Sequence, residues 1–206
     1  MNLLEIFKGQ LDDNLLTQLS QHIGAEPDQT SNAATGVFAS LLGGLNNNAQ
    51  KPGGLGILAS VLDRDHDGSV LDDIFGMITG SGNGTTPARA TNGEGILRHI
   101  LGDKQTTAAE QISQQSGLNI GQIMKLMPIL APIVMSVLGK AKSQGNMGLG
   151  DLAGILTGST QQVAQQPGLG DLLGKVLGGV LGGEPRHEPE QSPDILGTLL
   201  KGIFKK

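Results

Sequence analysis

The chain has no cysteine, no tryptophan and no tyrosine in its 206 residues, and its only aromatic residues are Phe7, Phe38, Phe75 and Phe204. Without cysteine there can be no disulfides, thiolate metal sites or cysteine nucleophiles. A net charge of −5, with Lys and Arg scattered and no Tyr or Trp, leaves neither the positive footprint nor the stacking platform of a nucleic-acid-binding protein. The opening stretch MNLLEIFKGQLDDN has no basic segment followed by a long apolar one, so no secretory signal is expected and the cytoplasm is the expected compartment. Also missing are a GxSxG elbow, a phosphate-binding loop and a dinucleotide fingerprint. His22, His66, His99 and His187 lie far apart, and none has a partner at metal-ligand spacing. The chain is therefore expected not to be an enzyme.

With so few aromatics, the core has to be built from Leu, Ile, Val, Met and Ala. That favours helices packed on helices over sheets, which want aromatic and β-branched residues. The 33 glycines and 9 prolines predict helices that are short and often broken. The exception is Asn119 to Lys142. There Asn119 and Gln122 have the spacing of a capping box, and Ile120, Ile123, Met127, Leu130, Val134 and Leu138 recur at helical steps while other apolar residues fill most of the remaining surface. A helix apolar nearly all round is a buried one. Its uncharged run, Leu126 to Leu138, is shorter than the ~20 residues a bilayer needs, and Pro128 and Pro132 should bend it.

Before this element come a short helix with Leu3, Leu4 and Phe7, and a second capped by Asp12 or Asp13 and ended by Gly24. A third opens at Pro27 and is broken by NNN and KPGG. A fourth carries Leu55 to Leu62, and a fifth holds Ile74, Phe75 and Ile78. Shifted by 93 residues, Leu3, Leu4, Phe7 and Gly24 fall on Ile96, Leu97, Ile100 and Gly117, while Val37, Leu41 and Leu45 fall on Leu130, Val134 and Leu138. The order of elements is kept. The expected architecture is therefore an all-α, multi-helix bundle built from two pseudo-symmetric copies of a short-helix unit. The units are residues 2–80 and 95–183, joined by a Gly, Ser, Thr and Asn-rich connection over 81–94. An acidic, proline-bearing linker (184–193) and a basic amphipathic helix (194–206) follow.

One stretch has the spacing of a metal loop. Asp63, Asp65 and Asp67 stand at positions 1, 3 and 5, Gly68 at the sharp turn and Ser69 where a backbone carbonyl would ligate, as in the first two-thirds of an EF-hand calcium loop. Position 12, which should be Glu, is Ile74; Asp72 and Asp73 are the nearest acids. Two readings follow: a weak structural calcium loop, or a turn in which Asp67 or Ser69 caps the next helix. Calcium is the one cofactor that the sequence raises.

Two further stretches bear on partners. Gly170, Gly174, Gly178 and Gly182 recur every fourth residue, giving a smooth face for close helix packing, inside a bundle or in lipid. In the tail, Ile195, Leu196, Leu199, Leu200, Ile203 and Phe204 line one face, with Lys201, Lys205 and Lys206 beside it. Such a helix docks on its own bundle, in the groove of another chain or on a membrane surface.

Three stretches together, DHDGSVLDDIFGMITG, GEGILRHILG and the helix containing LAPIVM, resemble a YidB-like bacterial domain family of unknown function over about residues 10 to 160. The resemblance implies a bacterial origin and an all-α fold, and brings no activity or catalytic residue with it. The expected role is a non-enzymatic scaffold or protein-interaction module acting on an unknown protein partner or on itself. The alternative is a peripheral membrane or envelope-associated protein using the glycine-rich helix and the tail.

Overall fold

Asn119 and Gln122 form the capping box that their spacing predicts. In the computed structural model, which describes residues 2–65 and 92–178, Asn119 Oδ1 accepts from the Gln122 amide at 2.9 Å and Gln122 Oε1 accepts from the Asn119 amide at 3.0 Å. Nine α-helices lie among the described residues: α1 (Leu3–Gln10), α2 (Asp13–Ile23), α3 (Pro27–Ala49), α4 (Gly54–Asp65), α5 (Gly93–Leu101), α6 (Gln105–Ser116), α7 (Ile120–Gln144), α8 (Leu149–Ala164) and α9 (Leu169–Leu177). A single 3-10 turn, Gly102–Lys104, joins α5 to α6. No strand occurs among the described residues, so the all-α expectation holds. The expected fifth helix with Ile74, Phe75 and Ile78, the linker 184–193 and the tail 194–206 lie outside the described residues.

Local signals account for most helix ends. Asp12, not Asp13, caps α2, its carboxylate accepting from the Leu15 amide at 2.7 Å. Gly24, at φ 68°, ends that helix in the left-handed conformation that a side chain would strain. Pro27 is the first residue of α3, where its missing N–H costs nothing. The asparagine run does not break α3 as expected, because the helix continues through Asn46 to Asn48 and ends only at Ala49. What holds it is cross-helix bonding: Thr157 Oγ1 donates to Asn46 Oδ1 at 3.2 Å, and Asn48 Nδ2 donates to the carbonyls of His99 and Ile100 at 3.1 and 3.2 Å. The KPGG turn that follows does stop the helix.

Two long helices, α3 with 23 residues and α7 with 25, lie against each other at the centre. Around them, α4 packs on α3, α7 and α8, α1 on α3, α7 and α8, and α5 and α6 each on both long helices. One continuous core draws on all nine helices. Phe7 of α1 and Phe38 of α3 stack in it, ring centroids 4.6 Å apart. A buried hydroxyl pair, Ser20 to Thr30 at 2.9 Å, ties α2 to α3.

By length and composition α7 could cross a bilayer, a stronger membrane signal than the short uncharged run suggests. Packing gives the reason for its apolarity: from Leu126 to Gly139, twelve residues are buried against the surrounding helices, and 61% of its most apolar window is buried. The helix runs unbroken through Pro128 and Pro132. Ser136, fully buried within it, has an Oγ with no hydrogen-bond partner among the described residues. Ser136→Ala removes an unsatisfied hydroxyl without opening a large cavity. It should stabilise the fold by about 1 kcal/mol, raising the melting temperature by ~2–4 °C for a chain of this size; a thermal melt followed by circular dichroism measures it.

One segment boundary and one repeat differ from expectation. Asn92 and Gly93, placed by composition in the 81–94 connection, belong to α5: Asn92 Oδ1 caps it by accepting from the Gly95 amide at 2.9 Å. The four-residue glycine repeat does not lie on one helix, because Gly178, at φ 68°, terminates α9. Within α9, Gly170 abuts the Ala164 carbonyl, whereas a Cβ on Gly174 would meet nothing within 4 Å. The repeat is thus one tight turn, one open position and one helix stop; Gly182 lies outside the described residues.

Candidate functional site

Two of the six candidate ligands of the acidic loop, Asp63 and Asp65, are among the described residues. Asp63 sits near the end of α4 and its Oδ1 is held by the Lys142 ammonium of α7, a pair in which the lysine side chain is largely buried and the aspartate largely exposed. Asp65 is the last residue of α4. Asp67, Ser69, Asp72 and Asp73 lie outside the described residues. Among the described residues no group of three or more His, Asp or Glu gathers as a metal site would require. A cation taking Asp63 Oδ1 as a ligand competes with Lys142 for it. Calcium in the micromolar range is therefore expected to leave the melting temperature unchanged. Any stabilisation should appear only at about 10⁻⁴ to 10⁻³ M, the range of weak sites, and vanish in Asp65→Ala. Calcium-dependent melting curves test this, and a rise at micromolar calcium would contradict it.

The feature with the shape of a binding site is elsewhere, between α3, α4 and α5. At Gly53, φ 75° lets the chain reverse after α3, and Gly54 follows so close that a Cβ would fall 1.9 Å from the Asn48 carbonyl oxygen. This tight reversal sets α4 beside the end of α3 and leaves a gap between α4 and α5. The gap is a cavity of about 550 Å³, open to solvent. Its walls are Ile57, Leu58 and Val61 from α4 and Gly95, Ile96 and Ile100 from α5, with Leu45 and Met135 below. Ile57 is 57% exposed, the most exposed large apolar side chain among the described residues.

Polar groups gather at one end. Asn48 bonds the last carbonyls of α5 as described, and Lys51 Nζ donates to Asn48 Oδ1 at 2.7 Å. A second cavity, about 260 Å³, adjoins there, sharing Asn48, Lys51, His99 and Ile100 with the first and adding Lys104 and Val176. An aliphatic trough with a cationic end is suited to hold an apolar helix face and to select an acidic flank. Sequence reasoning missed this site: His99 reads as an ordinary surface residue and Asn48 as part of a helix breaker. The available signal was a run of three asparagines continuing an apolar helix stripe with no glycine or proline among them.

No curated protein and no solved structure matches the chain. One family description, a bacterial protein of unknown function (DUF937), matches residues 5–141. The match runs from α1 into the last turn of α7 and takes in every wall of the groove, leaving α8 and α9 outside it. It agrees with the bacterial, unknown-function family expected from the three sequence stretches, under a description other than YidB-like. Covering well over half of the 206 residues, it establishes that the chain belongs to the DUF937 family of bacterial proteins.

Proposed function

We propose that the protein is a non-enzymatic helical scaffold whose working surface is the α3–α4–α5 groove, a docking site for an amphipathic helix. The observation that carries the reading is the trough itself, about 550 Å³ with aliphatic walls and Ile57 left half in solvent. Burying a side chain of that size is worth ~1.5–3 kcal/mol, so two or three such contacts suffice for a useful affinity once ordering costs are met. The test is affinity capture from the native bacterial cell, soluble and membrane fractions kept separate, with wild type and with Ile57→Glu as baits. Because Ile57 is largely exposed, its replacement should leave the melting temperature nearly unchanged. A partner bound by wild type and lost with Ile57→Glu supports the reading. Identical captures from both baits overturn it.

The scaffold is also read as a duplicated unit. In support, four helices of 8, 11, 23 and 12 residues (α1 to α4) are followed by four of 9, 12, 25 and 16 (α5 to α8). Asn2 and Asn92 cap the first helix of each set, and Gly24 and Gly117 end the second in the left-handed conformation. On this reading the groove lies between the halves, α3 and α4 of the first facing α5 of the second, and it depends on the KPGG reversal of the first half.

A further inference from the structure

We infer that the groove and the smaller cavity beside it bind one molecule of a long-chain carboxylate, its chain in the trough and its head between Lys51 and Lys104. The inference uses the same groove as the helix-docking reading and does not depend on it. Shape is the first ground. The trough of about 550 Å³ and the cavity of about 260 Å³ adjoin at Asn48, Lys51, His99 and Ile100, so an aliphatic arm passes into a polar end at those side chains. Joined, they lie in the ~300–1,000 Å³ range of small-molecule sites, which are mostly apolar with a few convergent polar groups. A helix is about 10 Å wide and lies across the trough without entering the smaller cavity. A single alkyl chain with a small head fills both.

Charge is the second ground. No Asp or Glu among the described residues lines either cavity. Asn48 is used up in positioning: its Nδ2 donates to the carbonyls of His99 and Ile100, and its Oδ1 holds Lys51. Lys51 thus gives away one of its three N–H groups, while Lys104 Nζ has neither a hydrogen-bond nor an ion-pair partner among the described residues. Three helix ends meet at the smaller cavity, through Asn48 of α3, His99 and Ile100 of α5, and Val176 of α9. Each helix C-terminus carries roughly half a negative charge, so together they offset most of the two lysine charges. What remains suits a head with a single negative charge, a carboxylate, rather than a dianionic phosphate.

Laurate is the probe, titrated below its micelle concentration into the full-length chain and followed by calorimetry. One laurate should bind per chain. Dodecyltrimethylammonium, an alkyl chain of like length with a cationic head, and acetate, a head without a chain, should each bind at least about tenfold more weakly. Lys51→Met combined with Lys104→Met should lower laurate affinity at least about tenfold, the loss expected for hydrogen bonds to a charged group. That variant should melt like wild type, because both lysines are exposed. Ile57→Glu should weaken laurate as well, from the aliphatic arm of the site. Equal binding of laurate and dodecyltrimethylammonium overturns the proposal, as does unchanged laurate binding in the double-lysine variant or uptake of many laurates without saturation. Sedimentation with anionic phospholipid vesicles in the absence of laurate binding also overturns it and assigns the basic rim to a bilayer. Partner capture tests the helix-docking reading with no laurate present, so failure of either is recognisable by itself.

Discussion

Gly93→Ala is expected to be among the most damaging single-methyl substitutions in the chain. Gly93 is buried at the start of α5, and a Cβ there would lie 1.7 Å from the Pro128 carbonyl oxygen and 2.5 Å from its carbon. Both partners are backbone, so no side-chain rotation relieves the clash; α5 has to move away from α7 by more than an ångström. The reason the two chains meet so closely lies in the sequence of α7. Pro132 has no N–H to give to the carbonyl four residues before it, which is that of Pro128. That oxygen is left facing outward at the place where α5 begins, and only a residue without a side chain can lie on it. Overpacking in a closed interior costs typically ~1–3 kcal/mol and more where backbone must shift. We expect about 3 kcal/mol, a fall in melting temperature of roughly 6–12 °C for a chain of this size. Gly154→Ala is the control, because a Cβ on that exposed glycine of α8 meets nothing within 4 Å. It should stabilise the helix by ~0.5–1 kcal/mol. Thermal melts of the two variants should thus move in opposite directions.

Gly93 also marks the limit of what the sequence discloses. Read locally, it belongs to a Gly, Ser, Thr and Asn-rich connection, and composition alone places it there. Its role depends on a carbonyl 35 positions later, freed by a proline four residues further on. The same division runs through the molecule. Helix caps are legible, since Asp12, Asn119 with Gln122, Gly24 and Pro27 act on backbone within three or four residues of themselves. The apolar stripe of α7 is legible too, because a helix apolar on every side has to be covered. What a side chain does across the fold is not. Gln122, recognisable as half of a capping box, also donates from Nε2 to the carbonyls of Ile23 and Gly24, at 3.2 and 2.7 Å, and so joins the start of α7 to the end of α2. Asn48 reads as a breaker and is a bridge to α5. The groove is the sum of such non-local arrangements, with no motif of its own. Asp63 shows the converse: a residue with motif spacing is already paired to Lys142, at a distance in sequence that no spacing rule covers.

Separated halves of the chain, residues 1–91 and 92–206, are each expected to lose cooperative folding altogether and to regain it when mixed. The ground for this is how the helices interleave. Gly36 and Gly44 of α3 are the sites where the second half presses closest: a Cβ on Gly36 would meet Ile112 of α6 at 3.1 Å, and one on Gly44 would meet Ile100 of α5 at 2.7 Å and Leu101 at 3.1 Å. Those three side chains are each no more than 6% exposed. Removing the second half uncovers the surface they protect, and at ~1.5–3 kcal/mol for each large side chain the loss is about 5–9 kcal/mol from these contacts alone. That already equals much of the ~5–15 kcal/mol by which an ordinary domain is stable. The rest of α3 and most of α7, which cover each other, are lost in addition. The dependence is mutual, because α1 and α4 from the first half pack on α7 and α8 of the second, while α5 and α6 pack on α3. Neither half has a long helix covered only by its own short ones. Far-ultraviolet circular dichroism of each half should show reduced helicity and no sharp melt. An equimolar mixture should recover the helicity of the intact chain and elute as a one-to-one complex. A half that stays monomeric and melts cooperatively by itself would mean that the boundary between the two long helices is dispensable, and that each half closes its own core.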